Sequence, residues 1–312
     1  MDEACRLLGK HRGKARIIAG GTDLLGILKD KILPSYPEVI INIKAIRKLD
    51  YIKEGRNGLK IGALTTLADI ARSPVIKEKY KVLAEAADAV GSPQIRNMAT
   101  LAGNLCQDVR CWYYRYPHHI GGRMICLRKG SGRCLALAGD NRYHAVIEGK
   151  QCFAVCPSDT AVALTALDAK ISVAGTRKNR LVSVRDFFTT LGNVLKVGEI
   201  VTEIQVPRPL EKTKQTFLKS TLRKPIDFAI VSVASVLRLE DGICAEANIA
   251  LGAIAPMPIR AEMAERIIKG KTINPEIAAE AAEAAVANAK PLSMNAYKVE
   301  ITKTLVKRAI LS

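Results

Sequence analysis

The run Arg16-Ile17-Ile18-Ala19-Gly20-Gly21-Thr22-Asp23-Leu24 sets two glycines after a short apolar segment and before a helix-compatible one. A strand, a glycine turn and a helix in that order open a parallel-sheet unit. Glycine lets the backbone approach a phosphate closely and turn several N–H groups toward it. The helix that follows adds positive potential at its N-terminus. A plain strand–helix turn with Asp23 near the helix start explains the run as well, because it is neither GxGxxG nor a P-loop. Outward from the run, the pattern predicts a helix over 4–8, strands at Ala15–Ile18, 39–43 and 59–61, and a helix over 24–31. Residues 1–60 therefore read as a small α/β unit.

Helices are expected over 66–71, 82–90 and 94–99, followed by a second turn, Thr100-Leu101-Ala102-Gly103-Asn104. Small residues with a hydroxyl and an amide repeat the theme of the first turn, and two such turns can hold the two ends of one pyrophosphate. After Pro157 regular structure resumes, with a helix over 160–167, a strand at Lys170–Ala174, a short helix over 184–188 and a strand over 200–206 ended by Pro207 and Pro209. Strands over 215–222, 230–240 and 245–253 come next, then helices at Glu262–Ile268, 275–289 and Tyr297–Leu311. The expected division is 1–60, 61–206 and 207–312, an α+β protein whose last part is a three-stranded sheet with helices.

Six of the eight cysteines (Cys106, Cys111, Cys126, Cys134, Cys152 and Cys156) fall within residues 106–156, with Cys5 and Cys244 outside. This segment also holds four of the eight tyrosines and the only tryptophan, and shows little periodicity. So long a structureless stretch is uncommon in a compact domain unless something organises it. The MDEACRLLGKHRGK start has no apolar signal core, which suggests the cytoplasm, or export only alongside a partner, and in such a chain clustered cysteines point to metal or redox chemistry more than to disulfides. The spacing fits neither a CxxC zinc ribbon nor the compact ferredoxin run, so an iron–sulfur cluster, zinc (kept open by His118, His119 and His144) and no metal all stay open. Arg110, Arg115, Arg123, Arg128, Lys129, Arg133 and Arg142 would offset thiolate charge. The net charge of +18 comes without a helix-turn-helix, zinc-finger or RNP pattern, so an acidic redox partner suits it better than nucleic acid. No apolar run reaches the ~20 residues that span a bilayer.

These motifs together resemble the FAD-binding medium subunit of the molybdenum hydroxylases, such as carbon monoxide and xanthine dehydrogenases, over nearly the whole chain. Ile17–Leu24 looks like that family's first FAD loop. Gln94 to Asn104, ending Thr-Leu-Ala-Gly-Asn, looks like the second, and Pro157-Ser158-Asp159 with Ala161, Ala163 and Leu164 like the third. Glu199-Ile200-Val201 and Lys219 fit two further contact positions. The resemblance implies a two-part FAD domain of the PCMH/vanillyl-alcohol-oxidase-like type plus a C-terminal α+β domain. It implies that Ile17, Ile18, Ala19, Gly20, Gly21, Thr22, Asp23 and Leu24 wrap the pyrophosphate. Thr100 and Asn104 would bond phosphate or ribityl groups, and Asp159 a hydroxyl-bearing part of the cofactor. Val90 and Val201 would pack on it, with Lys219 near the flavin. Taken singly, Asp159 could instead cap the helix after it and Lys219 be a solvated strand residue. Relatives begin with a strand before the first helix, whereas this sequence starts almost at the helix.

The cysteine-rich insertion resembles that of two branches with a [4Fe-4S] cluster in the flavin subunit, the 4-hydroxybenzoyl-CoA reductase beta subunit and bacterial aldehyde oxidoreductases. Gly139-Asp140-Asn141-Arg142-Tyr143-His144-Ala145-Val146 is closer to the second. By that resemblance Cys111, Cys126, Cys134 and Cys152 are the ligands, and Cys106 and Cys156 are not. The implied role is an electron relay beside a large subunit with the molybdenum cofactor and a small subunit with two [2Fe-2S] clusters, exchanging electrons with a carrier such as ferredoxin. No catalytic residue is expected on this chain, since no Ser/His/Asp arrangement occurs. Alternatives are a subunit of an aromatic-CoA reductive dehydroxylase and a zinc-organised assembly module with degenerate FAD loops.

Overall fold

The computed structural model of the chain describes residues 1–117, 120, 124–130, 132–224 and 226–312. His118, His119 and Arg123 of the insertion lie outside the described residues. Strands β1 (Ala15–Ile18) and β2 (Val39–Asn42) pair in parallel, joined by the helix Leu24–Lys29, as the strand–glycine–helix order requires. Strand 59–61, expected to join them, lies instead in the next sheet. There β3 (Ile52–Gly55), β4 (Gly58–Gly62), β5 (Lys170–Ala174) and β6 (Arg180–Ser183) are described, followed by a short hairpin of β7 (Phe188–Thr189) and β8 (Gly192–Asn193). Strand β9 (Ile200–Pro207) then inserts between β4 and β5, so the antiparallel order is β3-β4-β9-β5-β6. The expected break after residue 60 falls inside β4.

Helices Leu67–Arg72 and Lys81–Asp88 and the all-buried helix Asp159–Ala166 cover this sheet and share one core with it, with Leu59, Ile61, Leu83, Leu164 and Ile204 at its centre. The last part is a sheet of β10 (Thr213–Ser220), β11 (Val231–Glu240), β12 (Ile243–Gly252) and β13 (Ile259–Arg260) in sequence order. The expected three strands are there, and a two-residue fourth is added at the edge beside β12. Helices Glu262–Ile268, Pro275–Ala285 and Tyr297–Leu311 pack on it around Val233, Ile249, Leu251 and Val306. Asn274 caps the middle helix through Ile277 N, with proline at its first position.

The insertion carries one short helix, Trp112–Arg115, and two 3-10 turns at Leu127–Lys129 and Leu135–Leu137 among its described residues. Among the described residues no helix is long and apolar enough to cross a membrane.

Candidate functional site

The first glycine turn packs directly on the second loop. A Cβ on Gly20 would lie 1.9 Å from the Met98 carbonyl oxygen, and Gly21 takes a φ of +74°, so both positions demand glycine for the fold itself. The second loop is tied down by Leu101 N to Thr65 O at 2.9 Å and Ala102 N to Ala63 O at 3.2 Å. Thr100 caps the helix Leu101–Cys106, its hydroxyl accepting from Gly103 N at 3.2 Å. A cavity of about 620 Å³ opens between these loops. Ile17, Ile18, Ala19, Gly20, Gly21, Thr22, Asp23, Leu24, Thr100 and Val201 all line it, as do Gly103, Cys156 and Pro157. The three loops, far apart in sequence, thus converge on one space.

Three of the expected contact residues make contacts within the chain. Asn104 is buried and accepts from Ser158 Oγ and Thr160 Oγ1, both at 2.6 Å, so its side chain ties the second loop to the third. Val90 lines neither this cavity nor the next and packs against the central core. Lys219 is no solvated strand residue: it is buried, donating to Asp159 Oδ2 at 2.7 Å and to Ala89 O at 2.8 Å. Asp159 does not cap its helix either, because Ser158 does so by accepting from Ala161 N at 3.1 Å. Burial pushes the Asp159 carboxyl up and the Lys219 ammonium opposes it.

A second cavity of about 310 Å³ adjoins the first, and Cys156 and Pro157 line both. Its walls include Asp159, Trp112, Tyr143, His144, Phe228 and Cys111. Apart from Asp159, Cys111 and His144, the last as a candidate zinc ligand, sequence reading did not assign these residues to a site. The concentration of aromatics in the insertion was the available signal, and Phe228 had none. Arg110 joins the two cavities: its guanidinium lies 4.7 Å from the Phe228 ring centroid and pairs with Asp23 at 2.9 Å. Asp23 also takes Arg115 at 2.6 Å and the Asp108 N–H at 2.8 Å, so the first loop grips the insertion.

Of the four cysteines matched to ligands, Cys111 lines this second cavity. Cys126 and Cys152 share a buried cluster with Ile27, Val109 and Tyr114, and Cys111 packs against it. The Cys134 thiol donates to Cys152, and Arg128 Nε reaches Cys152 Sγ at 3.3 Å; these two donors pull the Cys152 thiol well down. Cys111 Sγ lies 3.3 Å from His144 Nε2. Cys156 sits apart, in the central core, where burial pushes its thiol up to about 12. Cys106 is exposed. Among the described residues no three His, Cys, Asp or Glu side chains converge as they would on a single metal ion. Of the basic residues expected to offset thiolate charge, Arg128 does so, whereas Arg110, Arg115 and Arg142 are engaged by Asp23 or Asp140.

The family described as the FAD binding domain in molybdopterin dehydrogenase matches residues 1–209, and that described as the CO dehydrogenase flavoprotein C-terminal domain matches residues 216–312. The chain is 33% identical over 297 residues to the aldehyde oxidoreductase FAD-binding subunit PaoB of Escherichia coli (strain K12), covering 93% of this chain and 88% of that one. It is 28% identical over 315 residues to the carbon monoxide dehydrogenase medium chain of Hydrogenophaga pseudoflava, covering 99% and 93%. A solved structure of carbon monoxide dehydrogenase from that organism, lacking the Mo-pyranopterin moiety of its cofactor, is similar with a TM-score of 0.79 at 28% identity, over 99% of this chain and 93% of that one. Three loops on one cavity, two matched halves and these likenesses agree: the chain belongs to the FAD-binding medium subunits of the molybdenum hydroxylase family of oxidoreductases.

Proposed function

We propose that this chain is an electron-relay subunit holding FAD across its two adjoining cavities and a [4Fe-4S] cluster on Cys111, Cys126, Cys134 and Cys152. The observation that carries this reading is that Cys126 and Cys152 share a buried cluster against which Cys111 packs, that Cys134 donates to Cys152, and that Cys111 lines a cavity adjoining the glycine-loop cavity. Residues 17–24 and Thr100 would hold the pyrophosphate end, where close backbone approach is built in. The aromatic walls of the second cavity suit the flat ring. Asp159, fixed by Lys219, lines the second cavity, and Val201 lines the first. The division into 1–60, 61–206 and 207–312 belongs to this reading. FAD bound there accepts electrons in pairs and releases them singly, which is the chemistry a relay needs.

The partners in this reading are a large molybdenum-cofactor subunit and a small subunit with two [2Fe-2S] clusters, in the cytoplasm. The excess of positive charge favours an acidic carrier such as ferredoxin. The relative named as an aldehyde oxidoreductase subunit favours aldehyde oxidation on the large partner over reduction of an aromatic thioester. Purified protein tests the reading. Flavin bands with a broad shoulder near ~400 nm are expected. Cys134→Ser should remove the iron signal and Cys156→Ser should leave it. A colourless zinc protein, or iron lost from the Cys156 variant alone, overturns the assignment.

A further inference from the structure

Three residues that wall the second cavity, Tyr143, His144 and Ala253, have their carbonyls held by one side chain that does not itself line it. Lys298 is fully buried at the start of the helix Tyr297–Leu311 and donates to Tyr143 O at 3.4 Å, His144 O at 3.1 Å and Ala253 O at 2.5 Å. Tyr143 and His144 belong to the insertion, whereas Ala253 follows β12 in the C-terminal sheet. Ala253 takes a φ of +60°, a left-handed backbone that strains any residue but glycine. The same turn is pinned again where Val146 N and Ile147 N donate to Ile254 O at 2.8 and 3.0 Å. Asn295 Nδ2 donates to His144 O at 3.1 Å and to Ala145 O at 3.2 Å, and the Tyr297 hydroxyl to Arg142 O at 3.0 Å. None of residues 290–298 lines either cavity. A buried ammonium is costly, and an apolar chain of similar length would fill the same space. What the ammonium adds is three donors aimed at two separate walls.

We infer that Lys298 is a positioning residue for the ligand of the second cavity, fixing the wall at Tyr143 and His144 against the turn at Ala253. The C-terminal domain thereby becomes part of the flavin site. The inference rests on the reading above, in which the flavin ring occupies this cavity. Without the three donors the strained turn at Ala253 is free to relax away from the insertion. Tyr143 then loses its position, and with it Trp112, whose ring packs edge-on to Tyr143 at 5.5 Å and to His144 at 5.7 Å between centroids. A cavity whose walls are held in place beforehand binds a flat ligand without the cost of ordering them.

The full-length subunit is titrated with FAD by quenching of flavin fluorescence, as wild type, Lys298→Met, Ser235→Ala, and Lys298→Met with Ala253→Gly. Ser235 Oγ donates to Ala309 O at 3.0 Å, so Ser235→Ala loosens the other end of the same helix and leaves the walls alone. Lys298→Met should weaken FAD binding about tenfold. It should also move the emission of Trp112, the only tryptophan, to longer wavelength. Ser235→Ala should do neither. Ala253→Gly removes the cost of the left-handed backbone and should recover about fivefold of the lost affinity. That rescue separates positioning from a general loss of stability. Unchanged FAD affinity in Lys298→Met, or an equal loss in Ser235→Ala, overturns the inference alone. Where Lys298→Met does not fold, hydrogen exchange of the wild type decides: FAD should slow the amides of residues 290–298, which touch neither cavity. Slowing confined to the loops at 17–24 and 100–104 overturns the inference. A wild-type subunit that takes no FAD sinks the reading above, and the Trp112 shift then still decides whether Lys298 sets the wall.

Discussion

Replacing Lys298 by methionine should remove a steep pH dependence from the stability of the fold. Lys298 is fully buried in the first turn of the helix Tyr297–Leu311 and donates to three carbonyls, Tyr143 O at 3.4 Å, His144 O at 3.1 Å and Ala253 O at 2.5 Å. Burial pulls its ammonium down from the ordinary 10.5 to about 7. The unfolded chain keeps this proton up to its ordinary value, and the folded chain gives it up near neutrality. Between those limits the unfolded state holds more protons, so stability rises with pH. The contribution is complete above the unfolded value and is lost as pH falls through the folded one. From about pH 7 to about pH 9.5 the gain is about 3 kcal/mol by linkage. For a chain of 312 residues unfolding with about 2.1 cal/mol/K per residue, that is about 4–5 °C in melting temperature. The assay is a series of thermal melts of wild type and Lys298→Met across that window, reading the difference between the two curves so that other titrating groups cancel. The wild type should gain on the variant as pH rises. Parallel curves would refute the reasoning, because they would mean that three carbonyl acceptors repay the whole cost of burying the ammonium.

Gly20→Ala places a Cβ 1.9 Å from a backbone oxygen, so one of the two loops must move. Overpacking of this kind costs about 1–3 kcal/mol, and FAD titration should show weaker binding than wild type; unchanged affinity would mean that the loop contact does not shape the cavity. Lys219→Met leaves the Asp159 carboxylate buried without its counter-charge, and removing one partner of a buried pair costs about 3–5 kcal/mol. Urea unfolding should show that loss, with most of it recovered when Asp159→Leu is added; a single variant as stable as wild type would show that the pair is not desolvated.

The parts of this protein that could be read from its sequence are those whose cause is local. The valine-rich run over 230–240 and the Asn-Pro start at Asn274 and Pro275 each act within a few residues, and the structure puts β11 and a capped helix there. The parallel pairing of β1 and β2 followed from the glycine turn between a strand and a helix. What could not be read is set by distance along the chain. Residues 59–61 look like a third strand of the first unit because only adjacent segments are visible in sequence, yet their partner β9 arrives after the whole insertion. Asn104 reads in sequence as a cofactor contact, and that its side-chain oxygen also accepts from Ser158 and Thr160 could not be seen there. Asp23 looks like a helix cap until Arg110 and Arg115 are seen to hold its carboxylate. The second cavity has no motif at all, since Trp112, Tyr143, Asp159 and Phe228 come from four separate stretches. In each case the residue type was informative about chemistry and silent about partner. A glycine-rich or small-residue loop therefore identifies which segments build the site, and packing alone decides which side chains face a ligand and which hold the loops together. Gly20, Asp23, Asn104 and Lys219 hold the loops together, and Gly20 and Asp23 also line the open cavity alongside Gly21, Thr22, Thr100 and Pro157.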